Sequence, residues 1–330
     1  MCASRKWPVG GLIPTLLIAV LLAFTALPQT ANAAFPDRPL RIVVPYPPGG
    51  GNDLLARRIG LRLAEVVGRP VVVENKAGAG GQVGSEFVAN SAPDGYTMLM
   101  ASNQLVLGPL LNPVVPELAR QLEPVAGVAD LQFILVAHPS LAVGSIRELI
   151  EYDRKASGKL NYGTPGSGTP QHLAAELLNS ATGTHLVHVP YRGSAPAIAD
   201  LLAGQIQLAF AGISSVAPHI QTGRLKTLGV SGARRSSALP QVPTIAEAGV
   251  SGYEASTWFA LFVARGTPAE PFTVLGPALQ KVMVEPAMVQ WLTEQGFDPA
   301  FRTAEVMRTI MRTDVDKWGS LIRKAGIKGE

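Results

Sequence analysis

Glycine-rich turns, more than titratable side chains, carry the chemistry this sequence offers. Residues 46–53 read YPPGGGND, set between the apolar run IVV and the helical pattern LLARRIGLRLAEVV. Further along, GTPGSGTPQHLAAELL repeats that logic, a glycine-rich turn after a strand that opens into a helix. Glycines let a backbone approach a ligand and turn successive N–H groups inward, and a helix start adds roughly half a positive charge, so each turn reads as an anion cradle. A phosphate loop would place Lys and Ser or Thr directly after the glycines. The first turn offers Asn52 and Asp53 instead, and the second offers Thr169 as a helix cap with Pro170 at the first helical position, again without lysine. Asp53 repels a dianion and is expected as a first-turn residue and cap, so a singly charged carboxylate is expected at each cradle. The competing reading is that these glycines only make tight strand-to-helix turns in a packed sheet.

A third cluster, NKAGAGGQVGSEF over residues 75–87, nearly imitates a dinucleotide fingerprint. The spacing fails, because Gly78 and Gly80 would require glycine where Val83 stands, and Glu74, Asn75 and Lys76 separate the strand from the glycines. A nicotinamide-dependent enzyme is therefore a weak competitor, and a third anion-facing loop is the better reading. His185 and His188 are an odd spacing of three apart at the strand LVHVPY and point to opposite faces, which excludes joint chelation. Gly166-Ser167-Gly168 imitates a nucleophile elbow, but Pro165 occupies the place of its first glycine. His172 could reach Ser167 only around a helix start, and no acid is placed to orient it. No catalytic residue, metal site or cofactor is expected. Trp258, Phe259, Trp291 and Trp318 read as readily as core residues as ligand platforms.

These turns must be positioned by the elements between them. Short β-rich runs alternate with helical periodicity: LRIVVP and a helix over 53–67, PVVVEN and a helix over 82–89, then YTMLMAS. FILVAH follows, with a helix over 146–155, LNYGT and a helix over 170–181, LVHVPY and a helix over 195–202, and IQLAFAG. Repeated β-α units predict an α/β class with largely parallel sheets, and two matched turns imply two lobes. Charged residues are only 16%, while 34 Gly and 27 Pro point to many tight turns between buried elements.

Residues 1–33 carry Arg5 and Lys6, an apolar stretch from Leu12 to Leu27, and the small-residue pattern Ala31-Asn32-Ala33. This predicts a secretory signal peptide cut between Ala33 and Ala34, in preference to a membrane anchor. Removing those 33 residues from the 330 leaves 297, enough for about two domains, and takes away Cys2, the one cysteine. The exported chain must then fold without disulfides. Losing Arg5 and Lys6 leaves 26 basic against 24 acidic residues. That near balance, with arginines scattered, carries no nucleic-acid footprint.

At this point the residues resemble a known family. FPDRPLRIVVPYPPGGGNDLLAR, GRPVVVENKAGAGG, PDGYTMLMAS, GKLNYGTPGSGTPQHLAAELL, HVPYRGSAPAIADLLAGQIQLAF and ALPQVPTIAEAGVSGYEA, in this order, are similar to the Bug family, the periplasmic receptors of tripartite tricarboxylate transporters. The resemblance covers essentially the whole chain after residue 33. It implies a two-lobed periplasmic-binding-protein type II (Venus flytrap) fold, with lobe one at 34–132 plus 253–330 and lobe two at 133–252. The crossings between lobes would be PVAGVADLQFILVAHP and EASTWFALFVARG. It also implies a small carboxylate-type ligand held by backbone amides and water, membrane subunits of a tripartite transporter as partner, a periplasmic location and no catalysis. A monomer is expected, and a signalling receptor is the alternative partner.

Carried over by position, the ligand loops are Tyr46, Pro48, Gly49, Gly50 and Gly51; Ala77, Gly78, Gly80 and Gly81; and Ser102 with Asn103. Lobe two supplies Thr164, Pro165, Gly166, Ser167, Gly168 and Thr169, then Ala211 and Gly212. Many relatives place an Asp directly after the residue matching Phe210, where this chain has Ala211. The lost carboxylate predicts ligands without an amine. Ala77 and Pro165 also stand where a proline and a serine are frequent.

Overall fold

The computed structural model describes residues 1–4, 34–115, 117–156 and 160–328. Of the signal peptide expected over residues 1–33, residues 5–33 lie outside them. From residue 35 the chain runs β1 (Leu40–Val44), α1 (Gly51–Val67), β2 (Val71–Asn75), a 3-10 turn (Ala79–Gly81), α2 (Gln82–Ala89), β3 (Thr97–Ser102), α3 (Gln104–Leu111) and β4 (Leu122–Ala137). It continues through α4 (Ile146–Ala156), β5 (Asn161–Thr164), α5 (Pro170–Thr182), β6 (Val187–Pro190), α6 (Ser194–Leu202), β7 (Leu208–Gly212), α7 (Ile213–Gln221) and β8 (Lys226–Val230). After β9 (Ser256–Ala264) come α8 (Ala269–Met283), α9 (Pro286–Glu294), β10 (Asp298–Thr303) and α10 (Ala304–Ala325).

Local sequence explains the best-defined elements. In α1, Leu55, Ala56, Ile59 and Leu63 recur at helical spacing, are fully buried, and pack on β1, while Gly68 ends the helix in the left-handed conformation. Helix α5 begins with Thr169, whose side chain accepts from the His172 N–H, and with Pro170 in the first turn; left-handed Gly183 ends it.

The main path of strands runs β2-β1-β3-β9-β4-β7-β5-β6, with β8 and β10 also paired to β4. The expected β-α units give parallel pairs: β1 with β2 and β3, and β5 with β6 and β7. The sheets are nevertheless mixed. β9 runs antiparallel to β3 and β4, and β4 pairs antiparallel with β7, β8 and β10. No helix stands between β8 and β9, so nothing constrains β9 to run parallel; β4 runs antiparallel although α3 precedes it.

β4 is 16 residues long and serves two sheets. Leu122 to Gln132 pairs with β9, and Phe133 to Ala137 pairs with β7. Apolar cores lie on each side of that division. Ile42, Leu55, Ile59, Met98 and Leu261 share one, and Phe133, Tyr162, Leu173, Leu208 and Phe210 share another. The end of α10 joins the second core through Trp318, Leu321 and Ile322, together with Leu107 and Leu111 of α3. Both helices thus pack beside the residues that β4 carries into the second sheet.

Candidate functional site

A cleft of about 600 Å³ opens where the ends of several elements meet. Pro45 and Tyr46 after β1, Ala79 to Gln82 at the start of α2, Ala101 near the end of β3, and Ser167 to Pro170 at the start of α5 form part of its wall. The rest is Ser85 of α2 and one side of α3 from Gln104, continuing through Asn112 and Val115 to Leu118. Three helix starts, those of α2, α3 and α5, therefore border one space. No Asp, Glu, Lys, Arg or His is among its lining residues. The electrostatic bias of the cleft comes from backbone dipoles, which favour an anion.

The turn before α2 is conformationally unusual. Gly78, Ala79, Gly80 and Gly81 all hold positive φ, at 148°, 46°, 64° and 100°, and Ala79 is the one non-glycine with positive φ among the described residues. The Gly81 N–H returns to the Gly78 carbonyl at 2.9 Å, and Ser85 Oγ donates to the Gly81 carbonyl at 2.8 Å. A Cβ on Gly81 would stand 3.1 Å from the Tyr46 ring, so the phenol lies against bare backbone. Burial pushes the Tyr46 hydroxyl above its ordinary pKa, with its hydrogen bond to Ser102 opposing the shift, and it faces the cleft as a neutral phenol.

The turn before α5 rests on two imidazoles. Gly168 N–H donates to His172 Nδ1 at 3.0 Å, which places the His172 proton on Nε2. Thr169 Oγ1 and Thr164 Oγ1 both donate to the Gly166 carbonyl, at 2.8 and 3.1 Å, and Thr164 Oγ1 meets His188 Nε2 at 2.6 Å. The rings of His172 and His188 stack with centroids 3.8 Å apart and planes 12° from parallel. Both pKa values are lowered to about 4, by burial and, for His172, also by the neighbouring His188. His172 must be neutral, because a proton on its Nδ1 would face the Gly168 N–H.

The loop between β1 and α1 is pinned from behind. Buried Asp53 accepts from the Gly49 N–H at 2.9 Å, from Arg57 Nε at 3.0 Å and from Asn75 Nδ2 at 2.9 Å. Asn75 Nδ2 also donates to the Tyr46 carbonyl at 3.1 Å. Burial opposes ionisation of Asp53, but the bonds from Arg57, Gly49 and Asn75, with the Arg57 charge, together hold its carboxyl below the usual range. The expected capping role takes a different form. Gly50 is the N-cap, and Asp53 reaches back to the N–H before it, as the acidic half of a capping box does.

Of the residues selected from sequence, Tyr46, Gly80, Gly81, Ser167, Gly168 and Thr169 line the cleft together. Pro48, Gly49, Gly50 and Gly51 are not in its wall, and the Gly49 N–H is committed to Asp53. Ala77 and Gly78 lead into the turn, Ser102 supports Tyr46, and Thr164, Pro165 and Gly166 shape the second turn from outside the wall. Asn103 is buried as the N-cap of α3, with Nδ2 3.3 Å from the Ser256 carbonyl. Ala211 is 3% exposed and packed with Ile134, Val136 and Val230, while Gly212 is the N-cap of α7. The sequence reading did not select Gln82, Gln104, Asn112 or the apolar side of α3. It also weighed His172 only as a base for Ser167. His185 precedes β6 and donates its N–H to Asp153 at 2.8 Å, so His188 finds its imidazole partner on α5.

Two sheets that share one long strand, with glycine turns and helix starts meeting at a cleft and no charged side chain lining it, define a solute-binding protein. A solute-binding protein from Polaromonas has the same fold at TM-score 0.81 and 29% identity, covering 88% of this chain and all of the other. A Rhodopseudomonas palustris protein solved with adipate superposes at TM-score 0.73, is 33% identical, and covers 89% of this chain and 99% of its own. A protein from the tcbD-tcbE intergenic region of Pseudomonas sp. strain P51 is 38% identical over 310 residues, 93% of this chain and 92% of that one. Residues 55–327 match the tripartite tricarboxylate transporter family receptors, and the chain belongs to that family. Its architecture is the two-lobed periplasmic-binding-protein type II fold. Among the described residues no helix is long and apolar enough to cross a membrane.

Proposed function

We propose that this receptor captures a small carboxylate in the cleft bordered by Tyr46, Gly80, Gly81, Ser167, Gly168 and Thr169, and presents it unchanged to the membrane subunits of its transporter. The observation that carries this reading is the meeting of three helix starts at a space lined by no charged side chain. A carboxylate there gains charge-assisted bonds from backbone N–H groups, worth about 1.5–3 kcal/mol each, without the desolvation of an opposing cation. The adipate-bound relative supports a carboxylate guest.

The lobes are 34–132 plus 253–330 and 133–252, with the last turns of α10 packed against lobe two. The mature chain starts at Ala34 and works in the periplasm as a monomer. N-terminal sequencing of the exported protein tests the start, and retention of the leader in a membrane fraction would refute it. Each lobe touches only part of a small ligand, so closure adds contacts and binding shifts the population towards the closed form. A thermal-shift screen of mono-, di- and tricarboxylates tests capture, since ligand at 100 times Kd stabilises by about 2.7 kcal/mol. Small-angle scattering tests closure through a smaller radius of gyration at saturation. No response to any carboxylate would refute capture, and an unchanged scattering profile would refute closure.

A further inference from the structure

The cleft is polar at its turns and apolar along α3. Leu105, Gly108, Pro109 and Leu111, then Val115 and Leu118, form that wall, and Asn112 is the one polar side chain in it beyond Gln104. The glycine turns and the starts of α2 and α5 lie elsewhere, at residues 79–82 and 167–170, and Gln104, the start of α3, heads the wall. One carboxylate can be met by those donors. A second carboxylate, or an ammonium, carried along the α3 wall would face Leu105, Pro109 and Leu111, which offer it no hydrogen bond.

We infer that the ligand is a monocarboxylate with a ring-sized or longer apolar body, its carboxylate at the turns before α2 and α5 and its body along Leu105 to Leu118. This rests on the capture reading and narrows it. The selection against amines, which the sequence assigned to Ala211, is carried instead by the lining of the cleft, because Ala211 is core. The adipate-bound relative takes a diacid, so this chain departs from it in specificity.

Calorimetric titration with hexanoate, adipate and 6-aminohexanoate tests the inference, because the three share a six-carbon chain and differ only at the far end. Hexanoate should bind on the order of tenfold or more tighter than the other two. Leu105→Lys, which puts a cation in the apolar wall, should move the preference towards adipate by a similar factor. Adipate or 6-aminohexanoate binding as tightly as hexanoate would overturn the inference. So would silence from all three while malate or citrate binds, which would leave the capture reading standing. Silence from every carboxylate would defeat capture itself.

Discussion

Gly81→Ala tests how the cleft wall is built. Gly81 holds φ 100°, and its missing Cβ would stand 3.1 Å from two ring carbons and the hydroxyl oxygen of Tyr46. The left-handed backbone costs an L-residue about 1–2 kcal/mol. Displacing a packed phenol by a few tenths of an ångström adds about 1–2 kcal/mol, the low end for an overfilled site. Gly80→Ala is the control, because φ there is 64° and nothing lies within 4 Å of its Cβ, so only the same backbone contribution of about 1–2 kcal/mol applies. Urea denaturation of the ligand-free protein should therefore rank wild type above Gly80→Ala above Gly81→Ala, with the last pair separated by about 1–2 kcal/mol. In a Tyr46→Ala background that excess should vanish, since the ring that Cβ would meet is gone. An excess that persists without Tyr46, or Gly81→Ala no less stable than Gly80→Ala, would refute the packing of the phenol on this turn.

Three further outcomes follow from the supports behind the cleft. Asp53→Ala leaves Gly49, Arg57 and Asn75 without their shared acceptor; as these donors can partly recover water, the cost is about 2–3 kcal/mol, read as a fall in Tm of roughly 4–10 °C. A change below 1 °C would remove Asp53 from the support of the loop. For His172 and His188 the folded pKa near 4 lies below the ordinary 6.5, so between pH 6.5 and 4 the unfolded chain binds protons that the native chain refuses. Stability is fully present above pH 6.5 and falls as pH drops through that window; His172 contributes about 1–2 kcal/mol of the loss after allowance for partial exposure, and a His172→Asn variant should show a shallower urea-midpoint profile against pH, an unchanged slope being the contrary result. Thr169→Ala removes the cap of α5 and the bond to the Gly166 carbonyl, costing about 1 kcal/mol by thermal unfolding, and no loss would deny the cap its role.

What was legible in the sequence follows from where the controlling partners lie. Helix α2 falls on its expected residues 82–89, and α5 starts as expected at Pro170, because glycines, Thr169 and Pro170 act within one turn of the chain. Helix α3 escaped because QLVLGPLL is apolar all round and interrupted by Gly108 and Pro109, which leaves no period to read. Missing it hid the wall that sets specificity. The turns themselves were found through glycine, but which of them face the cleft depends on partners distant in sequence. YPPGGGND looks like the strongest cradle, yet Asp53 and Asn75 bind its backbone from behind, and Tyr46 is its member in the wall. His172 was weighed only as a base for Ser167, and the structure adds the Gly168 N–H across the helix start and the His188 ring of β6. Backbone donors and stacked rings leave no spacing signature. In this protein they, and not charged side chains, shape the cleft, so a motif search finds the turns and only the fold assigns them their work.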